Sequence, residues 1–158
     1  MYRIGYGIDY HQLVSDREFW LGGIKLEHDK GALGHSDADV LLHAICDAML
    51  GAVNAGDIGA HFPDTDAQYK DMDSKKLLKK CLEVLLQKGY IIMNMDSTIC
   101  LQEPKIQKHI PAMRSAIADA LCIDEDLVSI KATTTEKLGF VGREEGISAH
   151  AVDKKKKI

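Results

Sequence analysis

The most apolar helix-like segment of the chain is HSDADVLLHAICDAMLGAV, residues 35–53. Ser36 and Asp37 are favourable N-cap residues, so the segment predicts a helix over about residues 38–53. Its polar side chains form a single stripe with a spacing of four residues and are Asp39, His43 and Asp47. A helix that is apolar on all its other sides is buried almost all round. We therefore expect this helix at the centre of the fold.

The flanking segments predict an α+β fold. Residues 2–11 alternate with a period of two, which predicts a strand with Gly5, Gly7, Asp9 and His11 on one face. The other predicted strands span 19–26 with a bend at Gly22-Gly23, 90–101, 127–134 and 146–153, and the other predicted helices span 74–88 and 107–121. This order predicts a mixed sheet of four to five strands with helices packed on one face. We interpret the helix over 74–88 as a packing element with a solvated basic face.

The length and charge of the chain limit its domain count and its partners. The 158 residues fit one domain, 1–158, with one core. The 20 basic and 24 acidic residues give a net charge of -4, which disfavours nucleic-acid binding. The only basic run, 154–157, is interpreted as a solvated tail without function.

Membrane insertion and a thiolate metal site are also disfavoured. The sequence contains no stretch near the ~20 apolar residues of a membrane span. The N-terminus resembles a strand rather than a targeting peptide, so we expect a cytoplasmic protein with no membrane partner. The four cysteines form no CxxC pair and are interpreted as small buried side chains.

Three residues have the chemistry of a zinc site. Asp9 and His11 lie two apart on one strand face, and His43 lies on the polar stripe of the predicted central helix. Two nitrogens and one oxygen around an open fourth position are typical of a catalytic zinc ion. From these residues alone, the alternative is a hydrogen-bonded core histidine. Asp47, one turn beyond His43, is predicted to orient an active-site group from behind the ligands.

Two further segments contain groups that are suited to bind phosphate. His35 and Ser36 precede the predicted helix, whose free N–H groups and dipole favour an anion, although a plain N-cap is the alternative. Residues 133–137, TTTEK, end a predicted strand and combine hydroxyl donors with a carboxylate that could hold a divalent cation. Threonines that simply form a strand are the alternative here. The polar loop over 54–73 is long enough for a binding role. Together these features indicate metal-assisted phosphate chemistry.

Five motifs occur in order along almost the whole chain: GxDxH at 7–11, HSDADVLLHAICDAMLGA at 35–52, GDIGxxFPDTD at 56–66, Pro104-Lys105, and KATTTEKLGFVGREEGI at 131–147. With these motifs the chain resembles the 2-C-methyl-D-erythritol 2,4-cyclodiphosphate synthase family. The resemblance implies a cyclising phosphorus-oxygen lyase of the non-mevalonate isoprenoid pathway. Its reaction would convert 4-diphosphocytidyl-2-C-methyl-D-erythritol 2-phosphate into the 2,4-cyclodiphosphate with release of CMP.

The resemblance also implies a set of cofactors and site residues. Zinc would be held by Asp9, His11 and His43, and a second divalent cation, magnesium or manganese, by Glu136. Transition-state stabilisation is expected from His35 and Thr134. The expected substrate-binding residues are Ser36, Asp57, Ile58, Gly59, Phe62, Pro63, Asp64, Thr65, Asp66, Thr133, Thr135, Phe140 and Arg143. The expected nucleotide-binding residues are Leu101, Gln102, Glu103, Pro104, Lys105, Ile106 and Gln107.

The family resemblance further implies a homotrimer with active sites at the subunit interfaces. An isoprenoid diphosphate is expected on the threefold axis, bound through Arg143. His150 stands where the family leads us to expect a glutamate, so the negative charge of that glutamate near Arg143 would be missing. Gln102-Glu103 also depart from the family pattern. The alternatives are a zinc phosphohydrolase, a binding protein without turnover, and a trimeric scaffold with incidental histidines.

Overall fold

The central element of the fold is a five-stranded sheet. The computed structural model describes residues 1–158 and orders the strands β4-β1-β7-β5-β6, with every neighbouring pair antiparallel except β5 and β6. The strands are β1 (Tyr2–Ser15), β2 (Phe19–Leu21), β3 (Ile24–Leu26), β4 (Lys30–Leu33), β5 (Tyr90–Cys100), β6 (Val128–Thr133) and β7 (Gly146–Lys157). The helices are α1 (Val40–Ala52), α2 (Ile58–His61), α3 (Ser74–Gln87), α4 (Ile110–Leu121) and α5 (Gly139–Gly142). The predicted α+β class with a mixed sheet is confirmed, with five strands.

Helix α1 packs directly on the backbone of β1. All of its residues are buried except Asp47 and Gly51, as its apolar pattern predicts. The close approach requires glycine in the strand, because a Cβ at Gly7 would lie 1.9 Å from the carbonyl oxygen of Ala44. This close packing brings His43 of α1 next to Asp9 and His11 of β1.

The opposite face of the sheet is largely exposed, and only the short helix α5 reaches it, where Phe140 packs against Tyr10. Its exposed side chains include Tyr2, Ile4 and Tyr6 of β1 and Val152 of β7. Tyr6 and Val152 are paired across the two strands, so the apolar side chains form a continuous surface. A group of exposed apolar side chains in contact with one another is typical of an interaction surface.

The segment over residues 19–26 folds differently from the predicted bent strand. It forms a separate hairpin of β2 and β3, because Gly22 and Gly23 have φ angles of 62° and 82° and make a tight turn. The second neighbour of β1 is β4, which the sequence pattern did not predict. The loop predicted over 54–73 contains the short helix α2 and a single turn over 67–69.

The start of the central helix also differs from the prediction. The N-cap is Asp39, whose carboxylate accepts a hydrogen bond from the Leu42 N–H, and the helix begins at Val40. Ala38 has a φ of 57°, which separates Ser36 and Asp37 from the helix. The predicted N-cap role of Ser36 and Asp37 is therefore wrong.

The basic C-terminus is part of the sheet, so the predicted solvated tail is wrong. Strand β7 continues to Lys157 and keeps its alternation, which turns Lys155 towards the helices. Lys155 and Asp153 are both fully buried and form an ion pair with an Nζ–Oδ2 distance of 3.0 Å. Burial raises the pKa of Asp153 and lowers that of Lys155.

The cysteines are only partly as predicted. Cys46 and Cys81 are buried, whereas Cys122 is exposed at the end of α4. No helix in the fold combines the length and the apolar character that crossing a bilayer requires.

Candidate active site

Three ligand atoms converge where β1 meets α1. Asp9 and His11 lie on the helix-facing side of β1, and His43 lies on the stripe of α1 that faces them. The Oδ2 of Asp9 is 2.8 Å from His11 Nε2 and 3.1 Å from His43 Nδ1. The two imidazole nitrogens are 3.2 Å apart. The predicted grouping of these three residues is therefore present in the fold.

The donor set fits a zinc ion. Zinc bonds of about 2.0 Å in a tetrahedron separate neighbouring ligand atoms by about 3.3 Å. The three observed separations of 2.8, 3.1 and 3.2 Å need only a small expansion to reach that value. Two imidazoles and one carboxylate leave a fourth position for substrate or water.

Hydrogen bonds on the far sides of the imidazoles orient both ligands. His11 Nδ1 is 2.9 Å from the carbonyl oxygen of Leu33, which can only accept, so this nitrogen carries the proton and Nε2 is free. His43 Nε2 lies 2.9 Å from Ser74 Oγ and 3.2 Å from Ser36 Oγ. His43 therefore presents Nδ1 to the centre of the triad.

The ionisable groups of the triad stabilise one another. Burial acts to raise the pKa of Asp9, but its contacts with the His11 and His43 imidazoles outweigh burial and lower the pKa to about 2. Burial acts to lower the pKa of His43, but the hydrogen bond and negative charge of Asp9 outweigh it and raise the pKa. Asp9 is thus an ionised ligand near neutral pH.

The triad forms one wall of a cavity of about 510 Å³. The predicted site residues that line it are Asp9, His11, His35, Ser36, His43, Ile58, Gly59, Phe62, Pro63, Asp64 and Thr65. The cavity therefore joins the metal ligands, the predicted phosphate-binding pair and the predicted substrate loop.

His35 and Ser36 reach the cavity from an irregular segment, since the helix begins only at Val40. The predicted placement of this pair at the N-terminus of α1 is therefore wrong, whereas phosphate binding by His35 and Ser36 stays a prediction. His35 Nε2 is instead 3.1 Å from the carbonyl oxygen of Asp66, which links it to the substrate loop. Arg17 donates hydrogen bonds to the carbonyl oxygens of Gly34 and Ser36, on either side of His35.

Two further contacts hold the loop that lines the cavity. Asp47 Oδ1 accepts a hydrogen bond of 2.8 Å from the Ile58 N–H, next to Asp57. Asp47 thus contacts the loop rather than a ligand histidine. Further along, the rings of Phe62 and Tyr69 are 5.6 Å apart, and Lys80 Nζ lies 5.7 and 5.3 Å from their centroids.

The remaining predicted residues lie outside this cavity. The segments over 101–107 and 133–137 meet each other, since the Leu101 N–H donates to the Thr133 carbonyl and the Lys137 N–H donates to Gln102 Oε1. None of the residues from 101 to 107 or from 133 to 136, including Thr134 and Glu136, lines the cavity. One chain therefore carries two separate parts of the predicted site.

Arg143 and His150 each contact another side chain of the same chain. Arg143 donates to Glu145 Oε1 at 2.8 Å, and Glu145 supplies the nearby negative charge that His150 cannot. The Tyr6 hydroxyl is 2.7 Å from His150 Nδ1. Phe140 packs against Tyr10 with the ring centroids 5.9 Å apart.

Several residues of the site were not predicted. Tyr69 and Leu77 line the cavity, and Ser74 contacts His43. Helix α3, interpreted from the sequence as packing alone, therefore contributes to the site. Ser74 is a hydroxyl residue at a helix start, which is too common a feature to indicate a function by itself.

The comparisons with known proteins agree with this geometry. Residues 2–154 match the model of the YgbB family. A relative from Bacteroides fragilis, named 2-C-methyl-D-erythritol 2,4-cyclodiphosphate synthase, is 64% identical over 149 residues, which is 94% of each chain. Among solved structures, IspF from Plasmodium falciparum in a CDP complex has a TM-score of 0.88 at 33% identity and covers 99% of this chain and 96% of its own. The bifunctional IspDF from Campylobacter jejuni has a TM-score of 0.96 at 39% identity, covering all of this chain and 43% of its own.

Proposed function

Because the chain belongs to the YgbB family, with relatives named 2-C-methyl-D-erythritol 2,4-cyclodiphosphate synthase, we propose that it forms this cyclodiphosphate from 4-diphosphocytidyl-2-C-methyl-D-erythritol 2-phosphate with release of CMP. Such enzymes are cyclising lyases of isoprenoid biosynthesis. The observation that carries the proposal is the shared cavity, in which the Asp9, His11 and His43 triad faces the loop that contains Phe62.

The proposed reaction needs positioning more than proton transfer. The attacking oxygen of the 2-phosphate is already anionic, so no strong general base is required. His35 and Ser36 would bind phosphate oxygens, and Asp57 would bind the diol of the substrate. A zinc ion held by the triad would supply Lewis acidity and a template for the two phosphates.

The second part of the site is proposed to bind the nucleotide and the diphosphate. The segment over 101–107 would hold cytidine, and Thr133, Thr134 and Thr135 would donate hydrogen bonds to the diphosphate. Glu136 is exposed and would hold magnesium or manganese through its carboxylate. His35 and Thr134 are the proposed donors to the charge that develops in the transition state.

We propose a homotrimer in which neighbouring chains complete each site. Two observations support it: the exposed apolar face that includes Tyr2, Ile4 and Tyr6, and the absence of residues 101–107 from the lining of the cavity. Arg143 would bind an isoprenoid diphosphate on the threefold axis, after giving up part of its contact with Glu145. A cytoplasmic location is part of the same proposal.

Product analysis tests the proposed reaction. The protein is incubated with the diphosphocytidyl substrate, zinc and magnesium, and the products are followed by phosphorus NMR and by the release of CMP. The expected result is CMP and the cyclodiphosphate in equal amounts. CMP with a linear diphosphate would instead indicate a phosphohydrolase, and no CMP at all would indicate a binding protein. His43→Ala is the matched control, since it removes one ligand of the triad.

A further inference from the structure

A serine and an aspartate outside the cavity contact the back of His43. Ser74 begins α3, and Asp37 lies in the irregular segment before α1. We propose that Ser74 and Asp37 are positioning residues that hold His43 in the tautomer able to bind a metal. The inference rests on the metal site of the proposed function and assigns a role to two residues that the reaction itself does not use.

The three side chains form a continuous hydrogen-bonded relay. His43 Nε2 is 2.9 Å from Ser74 Oγ. The Ser74 hydroxyl donates a short hydrogen bond to Asp37 Oδ1. Asp37 is fixed in turn, because its Oδ2 accepts from the Ser74 N–H at 2.9 Å and its Oδ1 accepts from the Asp39 N–H at 3.1 Å.

The direction of the relay follows from its donors and acceptors. An ionised carboxylate can only accept, so the single hydroxyl proton of Ser74 is committed to Asp37. Ser74 Oγ then offers a lone pair to His43, and Nε2 must carry the proton. Nδ1 is left with a free lone pair, which points to the Asp9 carboxylate and the His11 imidazole.

The relay opposes a second tautomer that would block the metal. Asp9 Oδ2 lies 3.1 Å from His43 Nδ1 and, in the absence of a metal, attracts the proton to that nitrogen. A ring protonated at Nδ1 cannot bind a metal through it. Ser74 and Asp37 therefore decide which nitrogen of His43 is free.

Neither Ser36 nor solvent can replace Ser74 in this role. Ser36 Oγ lies 3.2 Å from His43 Nε2, but no carboxylate accepts its hydroxyl proton, so it can donate to His43 as well as accept from it. Ser74 is fully buried and His43 is 6% exposed, so water does not reach their contact. Ser74 donates its only hydroxyl proton to Asp37, so it can only accept a hydrogen bond from His43.

The test uses three variants and two measurements. Ser74→Ala removes the hydroxyl, and Asp37→Asn removes the carboxylate. Asp73→Asn is the matched control, because Asp73 also caps α3 and loses the same charge but contacts Lys75 rather than His43. The zinc dissociation constant is measured by competition with a chelator. The tautomer of His43 is measured in metal-free protein by nitrogen NMR of labelled histidine, at a pH where the ring is neutral.

The proposal predicts a weaker zinc site and a changed tautomer in the first two variants. Both should raise the zinc dissociation constant about 10 to 100-fold, as the loss of such orienting contacts does. The double variant should bind zinc as tightly as the single variant with the lower zinc affinity, because both substitutions interrupt the same relay. Asp73→Asn should leave the dissociation constant and the tautomer unchanged.

Several results would overturn the proposal. Ser74→Ala with the zinc affinity and tautomer of the natural protein would do so. A natural protein whose metal-free His43 carries its proton on Nδ1 would also do so, whether or not the variants fold. A natural protein that binds no zinc would overturn the proposed function as well. Zinc binding that depends on Ser74 without any release of CMP would overturn the proposed reaction and support the relay.

Discussion

The contact between β1 and α1 can be tested by adding one methyl group at Gly7. The Cβ of alanine would lie 1.9 Å from the Ala44 carbonyl oxygen and 2.7 Å from the Ala48 nitrogen. Both neighbours are backbone atoms of a buried helix, so no side chain can turn aside. Restoring ordinary van der Waals contact requires α1 to move from β1 by roughly 1.5 Å.

This displacement has two measurable consequences. Overpacking of a rigid contact costs about 3 kcal/mol, at the upper end of the usual range. For a chain of this length, that lowers Tm by roughly 6 to 12 °C. Because α1 carries His43 and β1 carries Asp9, a displacement of this size should also lower activity by at least about 100-fold and weaken zinc binding.

Thermal unfolding and zinc titration of Gly7→Ala measure both effects. Gly51→Ala is the control in α1, because the only atom near its new Cβ is the Tyr6 carbonyl oxygen at 4.0 Å. The control should keep its zinc affinity and gain up to about 1 kcal/mol from better helix propensity. A Gly7→Ala protein with the Tm and zinc affinity of the natural chain would refute the argument that glycine sets the distance between α1 and β1.

Three further predictions concern the loop and the buried ion pair. Asp47→Ala should lower turnover about 10-fold without loss of zinc, because it removes the acceptor of the Ile58 N–H. Steady-state kinetics with metal analysis checks it, and zinc loss would count against it. Backbone amides over 58–72 should exchange more slowly when a substrate analogue binds, since none of these residues is buried. Equal exchange rates with and without the analogue would contradict this. In the buried ion pair, folded Asp153 holds its proton more tightly than the unfolded chain, and folded Lys155 holds its proton less tightly. The free energy of unfolding should therefore fall as pH rises above 3.8 and rise again as pH approaches 10.5. The double variant Asp153→Leu/Lys155→Met should remove this minimum in the free energy of unfolding. Lys155→Met alone should lower the free energy of unfolding by about 3 to 5 kcal/mol, because it leaves a buried carboxylate unpaired. Denaturant unfolding at several pH values measures both free-energy changes. A minimum that persists in the double variant would show that other groups cause it.

The central helix and the metal triad could be predicted because their patterns are local. The apolar residues of α1 leave a single polar stripe, and the alternation in β1 puts Asp9 and His11 on one face. These two periodicities determine which side chains can meet. The structure adds to this prediction only the direct contact of α1 with β1. Gly5 and Gly7 were the sequence features that could have indicated this contact.

The residues that were not predicted depend on packing between distant segments. Ser74 reaches His43 only because α3 packs beside α1, and no periodicity in the sequence encodes that contact. Lys155 was assigned to a tail because four consecutive lysines usually remain in solvent. Its burial depends on the pairing of β7 with both β1 and β5 and on the nearby carboxylate of Asp153.

The zinc content of the purified protein tests the central claim most directly. The natural protein and His43→Ala are purified without added metal, and zinc is measured by elemental analysis against protein concentration. Because three ligands must converge on one ion, the natural protein should hold about one zinc per chain and folded His43→Ala should hold almost none. A His43→Ala protein that keeps stoichiometric zinc would contradict the assignment of Asp9, His11 and His43 as the metal site.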